Sequence, residues 1–159
     1  MILLDQEPVK RAKKFLKDFD HSLEVIVLKD TARTAHDAAT ALGCDVGAIV
    51  KSLLFKTEDS FIMCLVSGDN RCSLNKLKII KNKKDVWMAS PKEVKNQTGY
   101  SIGGVSPVGH LYKVEIFIDK SLKRFNDLFA AAGNPKCVFK IDFENIQKIT
   151  NGKIDDIIE

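Results

Sequence analysis

The chain has 159 residues, of which 45% are hydrophobic and 29% charged, and a formal net charge of +4 at pH 7. These proportions are ordinary for one soluble globular domain over residues 1–159, and the mild positive charge permits an acidic or nucleic-acid partner without demanding one. No apolar run reaches the length of a membrane span, and Met1-Ile-Leu-Leu is followed at once by Asp5, Glu7 and Lys10 rather than by an export signal. Cys44, Cys64, Cys72 and Cys137 match neither CxxC nor a zinc-ribbon spacing, so the expectation is a cytoplasmic protein with reduced thiols.

Pro8 to Phe19 reads as a helix, with Pro8 near its start and Val9, Ala12, Phe15, Leu16 and Phe19 at helical spacing. Glu24 to Leu28 is a short strand. Thr34 caps a helix over Ala35 to Leu42, with Asp37 at its third position and Gly43 as the stop. Two strands, Ala48 to Lys56 and Phe61 to Val66, flank Thr57-Glu-Asp-Ser60 and read as a hairpin. Ser73 caps a basic helix from Leu74 to about Ile80, and Ser90-Pro91-Lys92-Glu93 is a capping box opening a helix that ends near Gly99. Val114 to Ile118, Asp127 to Ala131 and Val138 to Ile141 are three further strands, and Asp142 caps a last helix through about Ile149. The fold class is α+β, a largely antiparallel or mixed sheet with peripheral helices. No strand runs into a GxGxxG turn and helix, which speaks against a Rossmann unit.

Chemistry concentrates in Gly99-Tyr-Ser-Ile-Gly103-Gly104-Val-Ser-Pro107-Val-Gly109-His110, where four glycines and a proline fall in twelve residues. Such a loop is either a structural turn or a place where another group approaches the backbone closely. Lys51 stands in an apolar strand, Ala48-Ile-Val-Lys51-Ser-Leu-Leu-Phe55, and either snorkels to solvent or projects an ammonium into a partly dry pocket. Ala130-Ala-Ala-Gly133-Asn134-Pro135 is a second small-residue segment, open to close approach or to a tight turn. Arg71, Lys76, Lys78, Lys81, Lys83 and Lys84 form a basic run opposed by Asp85, which reads as a solvated face or a nucleic-acid contact. Gly104-Val-Ser106-Pro-Val108 fails as a hydrolase nucleophile elbow because position 108 is not glycine. His21, His36 and His110 have no partner at ligand spacing, so neither metal nor cofactor is expected.

Thr31-Ala-Arg33-Thr34-Ala-His-Asp37-Ala-Ala-Thr-Ala-Leu-Gly43, Ile49-Val-Lys51-Ser-Leu-Leu-Phe55, Gly103-Gly-Val-Ser-Pro107-Val-Gly-His110 and Ala131-Ala-Gly133-Asn134-Pro135 succeed one another in the chain. Together they resemble the YbaK family, which shares its fold with the inserted editing domain of bacterial prolyl-tRNA synthetases. The resemblance runs from about Val25 to Ile149 and implies a mixed, partly barrel-like sheet. It also implies a free-standing trans-editing deacylase that hydrolyses a small non-cognate aminoacyl ester, such as Ala, Cys or Ser, from tRNA(Pro). By the same resemblance Lys51 is the catalytic lysine. Gly103, Gly104, Val105, Ser106 and Pro107 form the GxxxP loop that cradles the aminoacyl end, with His110 just beyond it, and Gly133 and Asn134 line the amino-acid pocket. Arg71, Lys76, Lys78 and Lys81 then contact the tRNA, and prolyl-tRNA synthetase is implied as a transient partner. The alternatives are a non-catalytic tRNA- or synthetase-binding module and a small-molecule phosphate-binding or hydrolase domain.

Overall fold

Local side-chain chemistry starts the helices. In the computed structural model, which describes residues 2–159, Thr34 Oγ1 accepts the Asp37 amide at 3.1 Å and opens α2 (Ala35–Leu42). Ser73 does the same for α3 (Leu74–Lys81), and Ser90 with Glu93 forms the reciprocal capping box of α4 (Pro91–Thr98). Asp142 caps α5 (Phe143–Thr150). The first helix, α1 (Glu7–Phe19), has no side-chain cap and begins on Glu7-Pro8. Its Val9, Ala12 and Leu16 share one face and are fully buried against the sheet. All four cysteines are free thiols.

The strands are β1 (Val25–Val27), β2 (Ile49–Lys56), β3 (Phe61–Ser67), β4 (Trp87–Met88), β5 (Glu115–Asp119), β6 (Leu128–Asn134), β7 (Cys137–Ile141) and β8 (Lys153–Asp155). They form one mixed sheet in the order β1-β7-β6-β2-β3-β5-β8, with β4 added beside β2. The hairpins β2–β3 and β6–β7 are antiparallel, and the joins β2–β6, β3–β5 and β5–β8 are parallel. Two strands, β4 and β8, lie outside the sequence expectation. Both are short, their residues are exposed, and neither shows the alternation that reveals a half-buried strand.

The position of β2 leaves a gap in the sheet. It pairs with β3 along its whole length, but on the other edge it meets β6 only at Ile49 and Val50 and β4 only at Phe55 and Lys56. Between those contacts, Lys51 to Leu53 face no strand on that edge. Val50 and Leu54 belong to the main core, while Phe55 belongs to a second core on the other face with Ile62, Cys64, Leu77 and Phe117. Among the described residues no helix is long and apolar enough to cross a membrane.

Candidate functional site

A cavity of about 340 Å³ opens at the unpaired stretch of β2. Its walls come from four separate segments: residues 32–38 at the start of α2, residues 49–53 of β2, Ile102, Gly103 and Val105 of the glycine-rich loop, and Phe129–Ala131 of β6 with Val138. Its lining includes no carboxylate, imidazole or thiol among the described residues. The surface is mainly methyl and methylene, with Arg33, Thr34, Lys51 and Ser52 as the polar side chains.

Lys51 is half-buried, and its Nζ donates to the Asn70 carbonyl at 2.5 Å. Burial holds its pKa below the ordinary lysine value of 10.5; Cys72, Asp69 and Asp119 oppose that shift and Arg71 reinforces it. The turn bearing Asn70 is fixed in its own right. The fully buried Asp119 accepts the Ser67 amide at 3.0 Å, and Ser67 Oγ donates to the Gly47 carbonyl at 2.5 Å. Arg124 closes the turn through Asp69 and Ser67, while Asn70 Nδ2 donates to Ser121 Oγ at 2.8 Å. The ammonium is therefore held by a carbonyl on a rigid turn and carries a positive charge at the edge of an apolar space.

The glycine-rich loop reaches this space because it packs directly on β6. Gly133 donates to the Gly104 carbonyl at 3.0 Å. A Cβ on Gly104 would stand 2.8 Å from the Asn134 backbone, closer than real Cβ atoms come, so the two backbones touch and only glycine fits. Gly133 has φ +94°, and a Cβ there would meet the Pro8 carbonyl at 2.7 Å.

The far end of the loop is tied down elsewhere. Arg11 of α1 donates from Nε to the Gly109 carbonyl at 2.7 Å and from Nη2 to the Thr98 carbonyl at 3.2 Å, and lies over the Tyr100 ring. The buried Tyr100 hydroxyl donates to the Val108 carbonyl at 2.7 Å, and burial pushes its pKa up to about 12. His110 Nε2 donates to the Ser106 carbonyl at 2.7 Å, its ring edge-on to Tyr100, and burial lowers its pKa from 6.5.

Of the residues singled out in the sequence, Lys51, Gly103 and Val105 line the cavity. Gly104 and Gly133 sit behind the wall as backbone spacers. Ser106 is fully buried, and Asn134 is engaged with Gln6 and the Lys136 amide. Pro107 and His110 line a different groove of about 680 Å³, bounded by Phe15, Tyr112 and Ile149. The basic run divides as well. Lys76 pairs with Asp156 and Lys81 with Glu115, whereas Arg71 and Lys78 form no ion pair among the described residues and border, with Lys51, a third groove of about 670 Å³. The cavity residues without a sequence signal of their own are Arg33, Ser52 and Phe129. Arg33 and Ser52 lie inside motifs that carry the resemblance, but only the fold brings them to one space, through the β2–β6 pairing and the Ala32 amide's hydrogen bond to the Pro135 carbonyl.

Ser52 has a further property. Its Oγ is shielded from solvent and is the one buried side-chain polar atom among the described residues with no hydrogen-bond partner. An orphaned buried hydroxyl costs about 1–3 kcal/mol.

A family model for the aminoacyl-tRNA editing domain matches residues 29–149. The Bacillus subtilis protein YwhH is 29% identical over 147 residues, which cover 92% of this chain and 93% of YwhH. The proline–tRNA ligase of Thermosipho melanesiensis is 34% identical over 119 residues, 75% of this chain but 21% of the ligase, so the chain spans about a fifth of that relative's length. A solved structure described as a proposed trans-editing enzyme for prolyl tRNA synthetase superposes with a TM-score of 0.91 at 34% identity, covering 97% of this chain and 98% of its own.

Proposed function

The chain belongs to the aminoacyl-tRNA editing domain family, and from that premise we propose that residues 1–159 act as one free-standing editing domain in the cytoplasm, removing a small non-cognate amino acid from tRNA(Pro). The observation that carries this reading is the half-buried Lys51 on the open edge of β2, which lines a small apolar cavity together with Gly103 and Val105. Hydrolysis of an aminoacyl ester develops negative charge on the carbonyl oxygen, and a cation in a poorly hydrated site stabilises that charge far more than it would in water. Lys51 also suits a phosphate or ribose oxygen of the terminal adenosine, which would orient the ester. The cavity lining offers no side-chain nucleophile or general base of the carboxylate, imidazole or thiol type, so water attacks, assisted by a substrate hydroxyl. Kinship with proline–tRNA ligases supports tRNA(Pro) as the carrier and a transient contact with the synthetase.

The test is deacylation of tRNA(Pro) charged in turn with Ala, Cys, Ser, Thr and Pro, by the wild type and Lys51→Ala side by side. Loss of one or more non-cognate esters with wild type alone, and retention of Pro-tRNA(Pro), is the expected result. Intact tRNA binding with no turnover of any ester would instead make the chain a binding module.

A further inference from the structure

We propose that Cys64 and Cys72 form a dithiol pair that a hydroperoxide converts to a reversible disulfide, with Cys72 as the site of attack and Cys64 as the thiol that resolves it. This chemistry stands apart from the editing function proposed above. Cys64 lies in the middle of β3, between Leu53 of β2 and Phe117 of β5, and is fully buried in the second core. Cys72 follows the turn after β3 and packs against the same core. Its backbone is pinned on both sides. The Arg71 carbonyl accepts the Glu159 amide at 2.9 Å, and the Ser73 amide donates to the Ile157 carbonyl at 2.7 Å. The two thiols meet there, and Cys64 donates a hydrogen bond to Cys72. Cys44 packs in a third cluster beside α2 and Cys137 in the main core, so no other two cysteines share a cluster among the described residues.

A pair sealed wholly in the core would be inert. Cys72 is only half-buried and borders the groove of about 670 Å³ together with Lys51, Arg71 and Lys78. A thiolate at Cys72 has these cations around it and the Cys64 S–H behind it. That hydrogen bond is the main influence holding the Cys72 pKa below the ordinary thiol value; Lys51 assists, while burial, Asp119 and Glu159 oppose. The same bond, with burial, pushes the Cys64 thiol up, so the attacking and resolving roles fall to different sulfurs. Burial raises Cys44 and Cys137, which leaves them protonated and slow.

With hydrogen peroxide as oxidant, the Cys72 thiolate bonds to one peroxide oxygen and the O–O bond breaks. Hydroxide leaves and takes up a proton, and Cys72 becomes a sulfenic acid. Cys64 Sγ then bonds to Cys72 Sγ, the Cys72 S–O bond breaks, and the departing hydroxide takes the Cys64 proton as water. The pair gives up two electrons and the peroxide is reduced to water. The link would lie close in the chain to Asn70, whose carbonyl holds Lys51, and it removes the thiolate beside that ammonium.

The test treats the purified, fully reduced chain with hydrogen peroxide, blocks the remaining thiols and maps the digest by mass spectrometry. A Cys64–Cys72 link should form first and disappear on addition of dithiothreitol, with Cys44 and Cys137 still reduced. In Cys64→Ala the reaction should stop at the Cys72 sulfenic acid, which dimedone captures; in Cys72→Ser, Cys64 should stay reduced. Iodoacetamide, which reads the thiolate directly and needs no variant, should alkylate Cys72 at least about tenfold faster than Cys44 in the folded wild type. Oxidation of Cys44 as fast as Cys72, passage of wild-type Cys72 to sulfinic acid with no link to Cys64, or equal alkylation of Cys72 and Cys44 would each overturn the proposal.

Discussion

The two ends of the loop from Gly99 to His110 are built on opposite terms. Its front, Gly103 to Val105, meets β6 through bare backbone and forms a cavity wall with few polar side chains. Its rear, Val108 to His110, is held by side chains: Arg11, Tyr100 and His110 each hydrogen-bond a main-chain carbonyl at or beside the loop. The difference separates two tasks within twelve residues. The rear is fixed by groups that do not line the cavity, and the front is fixed by backbone contact with β6, which leaves its cavity wall without bulky side chains. A single substitution can therefore strike one task and spare the other.

The largest separation is expected from Lys51→Ala. Turnover of the susceptible ester should fall at least about 100-fold, while the urea midpoint stays close to wild type, because the ammonium's one hydrogen bond is to a turn secured by other groups. A parallel collapse of stability would show that Lys51 holds the fold rather than the chemistry. Gly133→Ala should break the seam that both ends depend on, costing about 2–3 kcal/mol in denaturant unfolding, since φ +94° and the Pro8 carbonyl at 2.7 Å both oppose a Cβ. Arg11→Met acts at the rear alone. It removes two bonds to backbone carbonyls from a mostly buried guanidinium and should cost about 1–3 kcal/mol, with a smaller loss of activity than Lys51→Ala.

His110 gives a subtler handle on the rear. Burial depresses its pKa below 6.5, so the unfolded chain binds the proton first as pH falls. Its contribution is fully present above about pH 7.5 and drains away as pH drops through 6.5 toward the folded-state value. Unfolding at pH 7.5 and 5.5 should show a stability loss that is smaller in His110→Gln; an unchanged difference would mean that the imidazole titrates normally. The smallest effects belong to the basic run. Arg71→Gln and Lys78→Gln should each reduce the salt dependence of tRNA affinity by about one phosphate contact, and Lys76→Gln, whose ammonium already pairs with Asp156, by less.

How much of this was legible in the sequence depends on the range of the interactions. Thr34 with Asp37 and Ser90 with Glu93 act across three residues, and the helices they cap begin where the sequence places them. The hairpin of β2 and β3 is equally local. The two-residue β4 owes its place to pairing with β2 rather than to its own composition, and β8 to pairing with β5. At the site, Lys51 stands out because a charge in an apolar strand is conspicuous. Ser52 does not, because a serine in a strand is unremarkable until its neighbours are known to leave its hydroxyl unanswered. His110, at the end of the same loop, lines a different groove, since irregular backbone carries no fixed facing from one residue to the next.

The brief parallel join of β2 to β6 bears on how the molecule comes together and comes apart. It consists of Ile49 with Phe129 and Val50 with Ala130, strands about 80 positions distant along the chain. Such a join closes a long loop for only two residue pairs, and the burial of Ile49, Val50 and Ala130 offsets that cost. The space beside Lys51 thus exists only once segments distant along the chain have met. Amide hydrogens along this join should exchange before those of the longer β2–β3 ladder, which runs from Val50 to Lys56.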